Sequence, residues 1–549
     1  MAKFVRRLAP SLLLLGGVAV AAPGEEAVAS LPGYGRPPAP QWSGFLNASA
    51  VEPGTMLHYW YSQAESADHA TLPVVLWLNG GPGSTSILGF LQEHGPLLIN
   101  ATGGLMHNPY AWTKQANVMI IESPAGVGYS YCQAMLQGGS CINTDKSTAA
   151  ANRAALQDFF KNKFPELQSN EFYITGESYA GVYVPTLAAE ILENAKEINL
   201  KGVGVGDPCT DNAAQSDSMD MMWYAHKNGF LLDADFDLLW KTCKRRHPSI
   251  LAAGEWHRTE GRTVAATSPL KAEPQDARCK AATRRFLAAT SRGFSQEWPK
   301  AWINDLSLFG PAAVTAYTAE GSLNYMTAAY MKRDDVRKAL HVEASPTKTR
   351  TWPGPAEGWS YTSDYAACNA AAKPGAPSMI DFYRTIAPKL KRTVVFNGDT
   401  DPCVSYEGTR IAIEQVGYEQ LPGRQYRPWF FKHGAAAASF LKEKPLLFGP
   451  DLSLADAGYQ FGGHVVDYEH NLSFVTIHGS GHMVPQFRPQ AAEQLLRKLL
   501  SGEAFAPPLP TDKELETLSD DDFDRTLDSW TDLARGGQAD KAQAEQILV

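Results

Sequence analysis

Phe172-Tyr173-Ile174-Thr175-Gly176-Glu177-Ser178-Tyr179-Ala180-Gly181 is the stretch from which the fold is read. Residues 172–175 make a short run without an exposed-looking face, Gly176 opens a turn, and residues 179–195 continue with helical spacing. A run apolar on both faces is what a strand needs when helices cover it on either side. Working outward, five further runs repeat the pattern. Val74–Leu78 precedes Asn79-Gly80-Gly81, 118–121 precedes Glu122-Ser123-Pro124, and 203–205 precedes Gly206-Asp207-Pro208. Residues 394–396 precede Asn397-Gly398, and 474–477 precede His478-Gly479. Helical stretches such as 147–164, with Ala150, Ala154, Phe160 and Phe164 on one side, lie between them. Strands alternating with helices predict an α/β domain built on a mostly parallel sheet with helices on both faces.

The chain has 549 residues, 44% hydrophobic and 19% charged, enough to bury a large core and too apolar for a disordered protein. Its net charge is −9, and residues 511–549 concentrate it, with eleven acids against Lys513, Arg525, Arg535 and Lys541. This segment reads as an acidic C-terminal tail, solvated and at most loosely helical. No concentrated basic surface is present to bind phosphates, which argues against a nucleic-acid partner. Residues 1–22 read as a secretory signal peptide: Lys3, Arg6 and Arg7, then an apolar run over 8–22 ending in small residues. That run is shorter than the ~20 residues a span requires, and no later stretch is long enough to cross a membrane, so no stable membrane span is expected after its removal. Sequons at Asn47, Asn100 and Asn471 agree with passage through the secretory pathway to a vacuole, lysosome or the exterior. Residues 207–340, rich in Trp, Met, Lys and Arg, break the alternation and read as a helical cap inserted into a domain spanning 23–510. Residues 434–457 read as a surface insertion.

A strand-to-helix turn that carries a serine is where a nucleophile can be lifted clear of a sheet. Ser178 is the candidate, although Ala180 stands where the general G-x-S-x-G pattern has glycine. A serine hydroxyl is a weak nucleophile and needs a base oriented by a carboxylate. Both partners occur later, again at strand ends: Asn397-Gly398-Asp399-Thr400-Asp401 and Gly481-His482-Met483-Val484-Pro485. The order Ser178, Asp401, His482, with gaps of 223 and 81 residues, is the chain order of an α/β-hydrolase triad.

With these motifs, and with Trp77-Leu78-Asn79-Gly80-Gly81-Pro82-Gly83, Asn108-Pro109-Tyr110-Ala111-Trp112, Glu122 to Ser130 and Asp334 to Val342, the chain resembles the serine carboxypeptidase family. The likeness runs from about Trp42 to Leu500. It implies Ser178 as nucleophile, His482 as general base and then acid, and Asp401 as its orienting partner, with Asp399 the rival. It also implies an oxyanion hole from the backbone N–H groups of Gly81 and Tyr179, and a clamp for the substrate's C-terminal carboxylate made by Asn79, Glu93 and Glu177. Two glutamates can bind a carboxylate if they lie close together in a dry site, because one then keeps its proton and donates. An acidic optimum for peptide cleavage follows. Met483 is a candidate contact for the leaving residue.

The expected activity is removal of C-terminal residues from peptides or proteins with a free C-terminus, through an acyl-enzyme, with no metal or organic cofactor. Two alternatives remain: an acyltransferase acting on small molecules, which retention of Glu93 and Glu177 disfavours, and a protein that binds and protects a partner. A homodimer is compatible with the sequence. Ser84 stands where many relatives have cysteine. Strands preceding Cys209 and Cys403 would be neighbours in a hydrolase sheet, so the expected bridges are Cys209–Cys403, Cys243–Cys279 and Cys132–Cys141, leaving Cys368 as a thiol.

Overall fold

The computed structural model describes residues 23–100, 102–246, 276–290, 323–347, 355–356, 359–433 and 458–536. The signal-peptide reading of 1–22 and the insertion at 434–457 lie outside these residues. Ten strands form one sheet: β1 (Gln41–Asn47), β2 (Met56–Ser62), β3 (Val74–Leu78), β6 (Asn117–Ile121), β8 (Phe172–Glu177), β9 (Leu200–Gly206), β11 (Arg392–Gly398), β12 (Arg427–His433), β13 (Gly458–Asp467) and β14 (Leu472–Ile477). Two small ribbons pair β4 (Leu97–Ile99) with β5 (Leu105–His107), and β7 (Ile142–Thr144) with β10 (Ser360–Thr362). The order across the main sheet is β1-β2-β6-β3-β8-β9-β11-β14-β13-β12.

The six runs read from sequence are the six parallel strands at its centre, β6-β3-β8-β9-β11-β14. All residues of β3, β6, β8, β11 and β14 are buried. That two-sided burial is why their sequences carry no alternation. The antiparallel strands at both edges were not legible in this way. In β1 buried and partly exposed residues mix, and β12 and β13 flank the segment 434–457 and shift register at Trp429/Phe430.

Two core layers cover the sheet faces. Helix Ala180–Asn194 buries Val184 and Leu187 over β3 and β8, and helix Asp145–Asp158 packs beside it with Ala155 and Leu156 in the same core. On the other face Pro489–Ser501 contributes Leu495, Leu496 and Leu499 beside Trp60, Trp77 and Trp429. Each fully buried side chain of this size stabilises the fold by roughly 1.5–3 kcal/mol before entropy is counted. Helix Asp145–Asp158 starts where the sequence permits: Thr144 accepts from Ser147 N and Ser147 returns the bond, a reciprocal N-terminal cap.

Between β9 and β11 the described residues contribute no strand to the main sheet. They include the helices Met221–Lys227, Ala277–Thr290 and Leu323–Met331, the first two joined through Met222, Leu239 and Phe286 in a satellite cluster. The chain re-enters the sheet only at Arg392, beyond the boundary of 340 expected for the cap.

The acidic tail forms two capped helices, Asp512–Thr517 and Asp520–Ala534, with acids in their first turns, where the helix dipole favours negative charge. Trp530 is buried, and its Nε1 donates to the Pro508 carbonyl at 3.0 Å. The indole, with Ala534 packed on the same core and Arg535 over the Phe430 ring, fastens this segment to the domain in place of the solvated appendage expected. Trp530 was the sequence signal for docking, outweighed by its acidic neighbours.

The disulfides Cys132–Cys141 and Cys243–Cys279 form as expected, but Cys209 pairs with Cys368, not Cys403. Strands β9 and β11 are indeed neighbours. The segment after β9 is, however, sewn to residues 366–379: Asn212 N donates to Ala366 O at 2.8 Å and Met379 N to Thr210 O at 3.0 Å. This brings the Cα atoms of Cys209 and Cys368 to 5.4 Å, while the Cys403 backbone N–H is drawn to Asp401 Oδ1 at 2.7 Å. Cys403 is buried and outside any disulfide. Peptide mapping is expected to recover Cys209–Cys368. Replacing both cysteines with alanine should lower stability by about 2–4 kcal/mol, the usual cost of opening a long loop, read as a fall in the denaturation midpoint.

Candidate active site

The turn after β8 carries Ser178 at φ 81°, a left-handed conformation that a serine adopts only when its surroundings impose it. They do so from both sides. Ser178 N donates to Gly206 O at 3.0 Å, and Ser178 O accepts from Gly181 N at 2.8 Å and Cys209 N at 3.0 Å. The helix Ala180–Asn194 begins two residues later. Ala180 fits where the general pattern has glycine, because the close backbone approach falls instead at Gly181, where a Cβ would overlap Cys209.

The loop after β3 approaches the same turn. A side chain at Gly80 would overlap the backbone N of Tyr179, so only glycine lets the Gly80–Gly81 segment lie against the start of this helix. The loops after β11 and β14 are pressed together likewise: a Cβ on Gly398 would overlap the Ser480 and Gly481 carbonyls.

That contact sets the two aspartates apart. His482 Nδ1 lies 2.8 Å from Asp401 Oδ2, both buried, while Asp399 pairs with His478 Nδ1 at 2.8 Å and accepts from Gly479 N at 2.7 Å. Asp401 also accepts from Val404 N at 3.1 Å. The Cys403 and Val404 N–H groups thus fix Asp401 against His482, and Asp399 pairs with an exposed histidine instead. Met483 follows His482, buried, at the start of the short helix Val484–Phe487.

Beside Ser178 lies a cluster of acids. Asn79 Nδ2 donates to Glu177 Oε1 at 2.9 Å and to Glu93 Oε1 at 3.4 Å. Its amide cannot flip, since Oδ1 already accepts from Trp77 Nε1 at 2.8 Å and Gly89 N at 3.0 Å. Burial pushes both glutamates above the usual carboxylate range, and the neighbouring Glu93 charge raises Glu177 further; Glu93 is pushed up to about 7. The pair therefore holds a proton through the mildly acidic range. Sequence reading passed over a further buried acid, Asp207, at the end of β9, although Gly206-Asp207-Pro208 occupies the same strand-end position as the other site motifs.

A mostly parallel sheet with Ser178, Asp401 and His482 at three strand ends in that chain order defines the α/β-hydrolase fold. Within that class, the family model described as serine carboxypeptidase matches residues 32–502. The chain belongs to the serine carboxypeptidase family and is a hydrolase of that type. It is 29% identical to serine carboxypeptidase-like 21 of Arabidopsis thaliana, over 92% of this chain and 100% of that one. It is also 29% identical to the lysosomal protective protein of Mus musculus, over 91% and 99%. The crystal structure of a prohormone-processing carboxypeptidase from Saccharomyces cerevisiae shares the fold, with a TM-score of 0.58, 19% identity and coverage of 84% of this chain and 91% of that one.

Proposed function

We propose that this protein removes single residues from the C-termini of peptides and proteins through an acyl-enzyme. The observation that carries the reading is the buried Asn79–Glu93–Glu177 cluster beside Ser178, where a carboxyl pair sharing a proton can donate to a free C-terminal carboxylate. Ser178 Oγ attacks the last peptide carbonyl as His482 takes its proton, and Asp401 orients the imidazole and balances its charge. Backbone N–H groups of Gly81 and Tyr179 receive the developing oxyanion, each worth roughly 3 kcal/mol in the transition state. His482 then protonates the departing amino acid and activates water, which releases the shortened peptide.

Blocked dipeptides with a free and with an amidated C-terminus, compared at pH ~5 and ~7.5 to bracket carboxyl titration, test this. Cleavage of the free acid alone, best at low pH, is the expected result. Failure to cleave either, with Ser178 still forming a covalent adduct, would turn the reading toward acyl transfer.

The sign of the pH effect follows from the acids. Glu93 loses its proton near pH 7, and once Glu177, held higher by the Glu93 charge, loses its own, two carboxylates face the substrate's and KM should rise about tenfold per further unit as the protonated fraction falls. Glu177→Gln should flatten that rise while leaving cleavage of an ester lacking the carboxylate nearly unchanged, measured as KM against pH. A rise of equal slope in the variant would remove the clamp from the mechanism.

Three disulfides suit an oxidising compartment and, with the lysosomal name of the mouse relative, support delivery to a vacuole, lysosome or the exterior. Asn47 and Asn471 are exposed and accessible as glycan acceptors, and Asn100 is partly so. Among the described residues no helix is long and apolar enough to cross a membrane.

A further inference from the structure

Asp207 stands behind the triad, fully buried, at the point where β9 ends against β11. Its Oδ1 accepts from Asn397 Nδ2 at 3.0 Å and Gly398 N at 2.9 Å. Its Oδ2 is buried with no donor to accept from. Asp207, Asp401 and His482 each bring one nitrogen or carboxylate oxygen to within 4.8 Å of the others. Two carboxylates so placed cannot both be charged without a large repulsive cost, because neither has water to screen it. A proton between them removes the repulsion and turns the orphaned oxygen into a donor.

Which carboxyl keeps the proton follows from the donors around each. Asp401 accepts from Cys403 N and Val404 N and faces His482 Nδ1, with donors on both oxygens. Asp207 accepts on Oδ1 alone. Hydrogen bonds to the charged form favour it, so the charge resides on Asp401 and the proton on Asp207. The charges that face Asp207 agree: burial, then Asp401, then Glu177 hold it well above the usual carboxylate range.

We propose that Asp207 is a positioning residue that keeps a proton on Oδ2 and donates it to Asp401, so that the carboxylate orienting His482 is held by a neutral acid. The consequence is chemical as well as geometric. An Asp401 that accepts an additional hydrogen bond is a weaker partner for the imidazolium, so His482 gives up its proton more readily and works as a base at lower pH. The clamp acids Glu93 and Glu177 also need mild acidity, and Asp207 would match the base to the pH at which the clamp is protonated.

This inference rests on the Ser178–His482–Asp401 reading of the site, and its test is read independently of the substrate. The second-order rate at which a fluorophosphonate modifies Ser178 is followed from pH ~4 to ~8, a window chosen to span carboxyl and histidine titration. Asp207→Asn is compared with wild type. Asparagine tolerates the φ of 44° at this position, and its Oδ1 can take over both bonds from Asn397 and Gly398 while Nδ2 donates to Asp401. If Asp207 is neutral, this exchange changes no charge, and the midpoint of the acid limb should stay within about 0.3 units with the plateau rate within about threefold. If Asp207 is ionised, removing a negative charge beside His482 moves that limb down by about a unit or more, which overturns the proposal. Asp207→Ala deletes the donor, and its limb should move up by about half a unit or more with at least a fivefold lower plateau; an unmoved limb would also overturn it. Should Asp207→Ala not fold, Asp207→Asn decides alone. A wild type that reacts with the phosphonate yet cleaves no peptide would sink the peptidase reading and leave this one standing.

Discussion

Ser178→Ala is expected to lower kcat for cleavage of a free-acid peptide by about 10⁵-fold or more, with KM changed by less than about threefold, because the covalent route disappears while the binding groups stay in place. The split between kcat and KM is the informative part. The Asn79–Glu93–Glu177 cluster and the Gly80–Gly81 loop do not depend on the hydroxyl for their contacts. A substrate should therefore still bind, and the variant should still be protected from heat by a product carrying a free carboxylate. A second variant separates chemistry from strain. Ser178 sits at φ 81°, where a side chain costs roughly 1–3 kcal/mol that glycine avoids. Ser178→Gly should thus be as inactive as Ser178→Ala and yet melt higher. Residual peptide cleavage within about a hundredfold of wild type in either variant would mean that Ser178 is not the nucleophile, since binding and oxyanion groups alone leave far less.

What could be read from the chain before its structure divides along a physical line. The six parallel strands were legible because burial on both faces writes a continuous apolar run into each, and the site residues follow those runs at the strand ends. β1 and β13 were not, because these antiparallel strands mix buried and exposed positions, and β2, though nearly all buried, carries His58 and Ser62 within its run. Connectivity of Cys209 depended on side-chain and backbone bonds from Asn212 to residues 366–369, which no spacing encodes. Asp207 escaped attention for a different reason: an aspartate after a glycine is ordinary in a turn, and only its burial against Asp401 makes it unusual. Asp399 and Asp401 were both visible, motif position favoured Asp401, and the 2.8 Å pair with His482 Nδ1 supports that choice.

That decision has a large measurable consequence. Asp401→Asn should reduce kcat by about 10⁴-fold, while Asp399→Asn should reduce it by less than about tenfold, although the two stand two residues apart. In Asp401→Asn the side-chain oxygen can still accept from the Cys403 N–H, while the amide nitrogen takes the Oδ2 place and the Val404 N–H loses its acceptor. Its amide then presents N–H groups toward His482 Nδ1, which would select the tautomer with the proton on Nε2, the nitrogen that must accept from Ser178. The base is thereby blocked and the charge that stabilises the imidazolium is lost as well. Asp399→Asn loses only the bond to the half-exposed His478 and weakens the hold on Gly479 N. Its effect should appear as a modest loss of stability, typically about 1 kcal/mol for such a bond, with little change in rate. The discriminating observation is recovery with pH. Because the Asp401→Asn defect is one of tautomer and charge, its rate should climb at high pH, where hydroxide can assist attack, while that of Asp399→Asn follows wild type throughout. Equal losses in the two variants would mean that the 2.8 Å pair between His482 and Asp401 is structural, and that His482 draws its orientation from elsewhere.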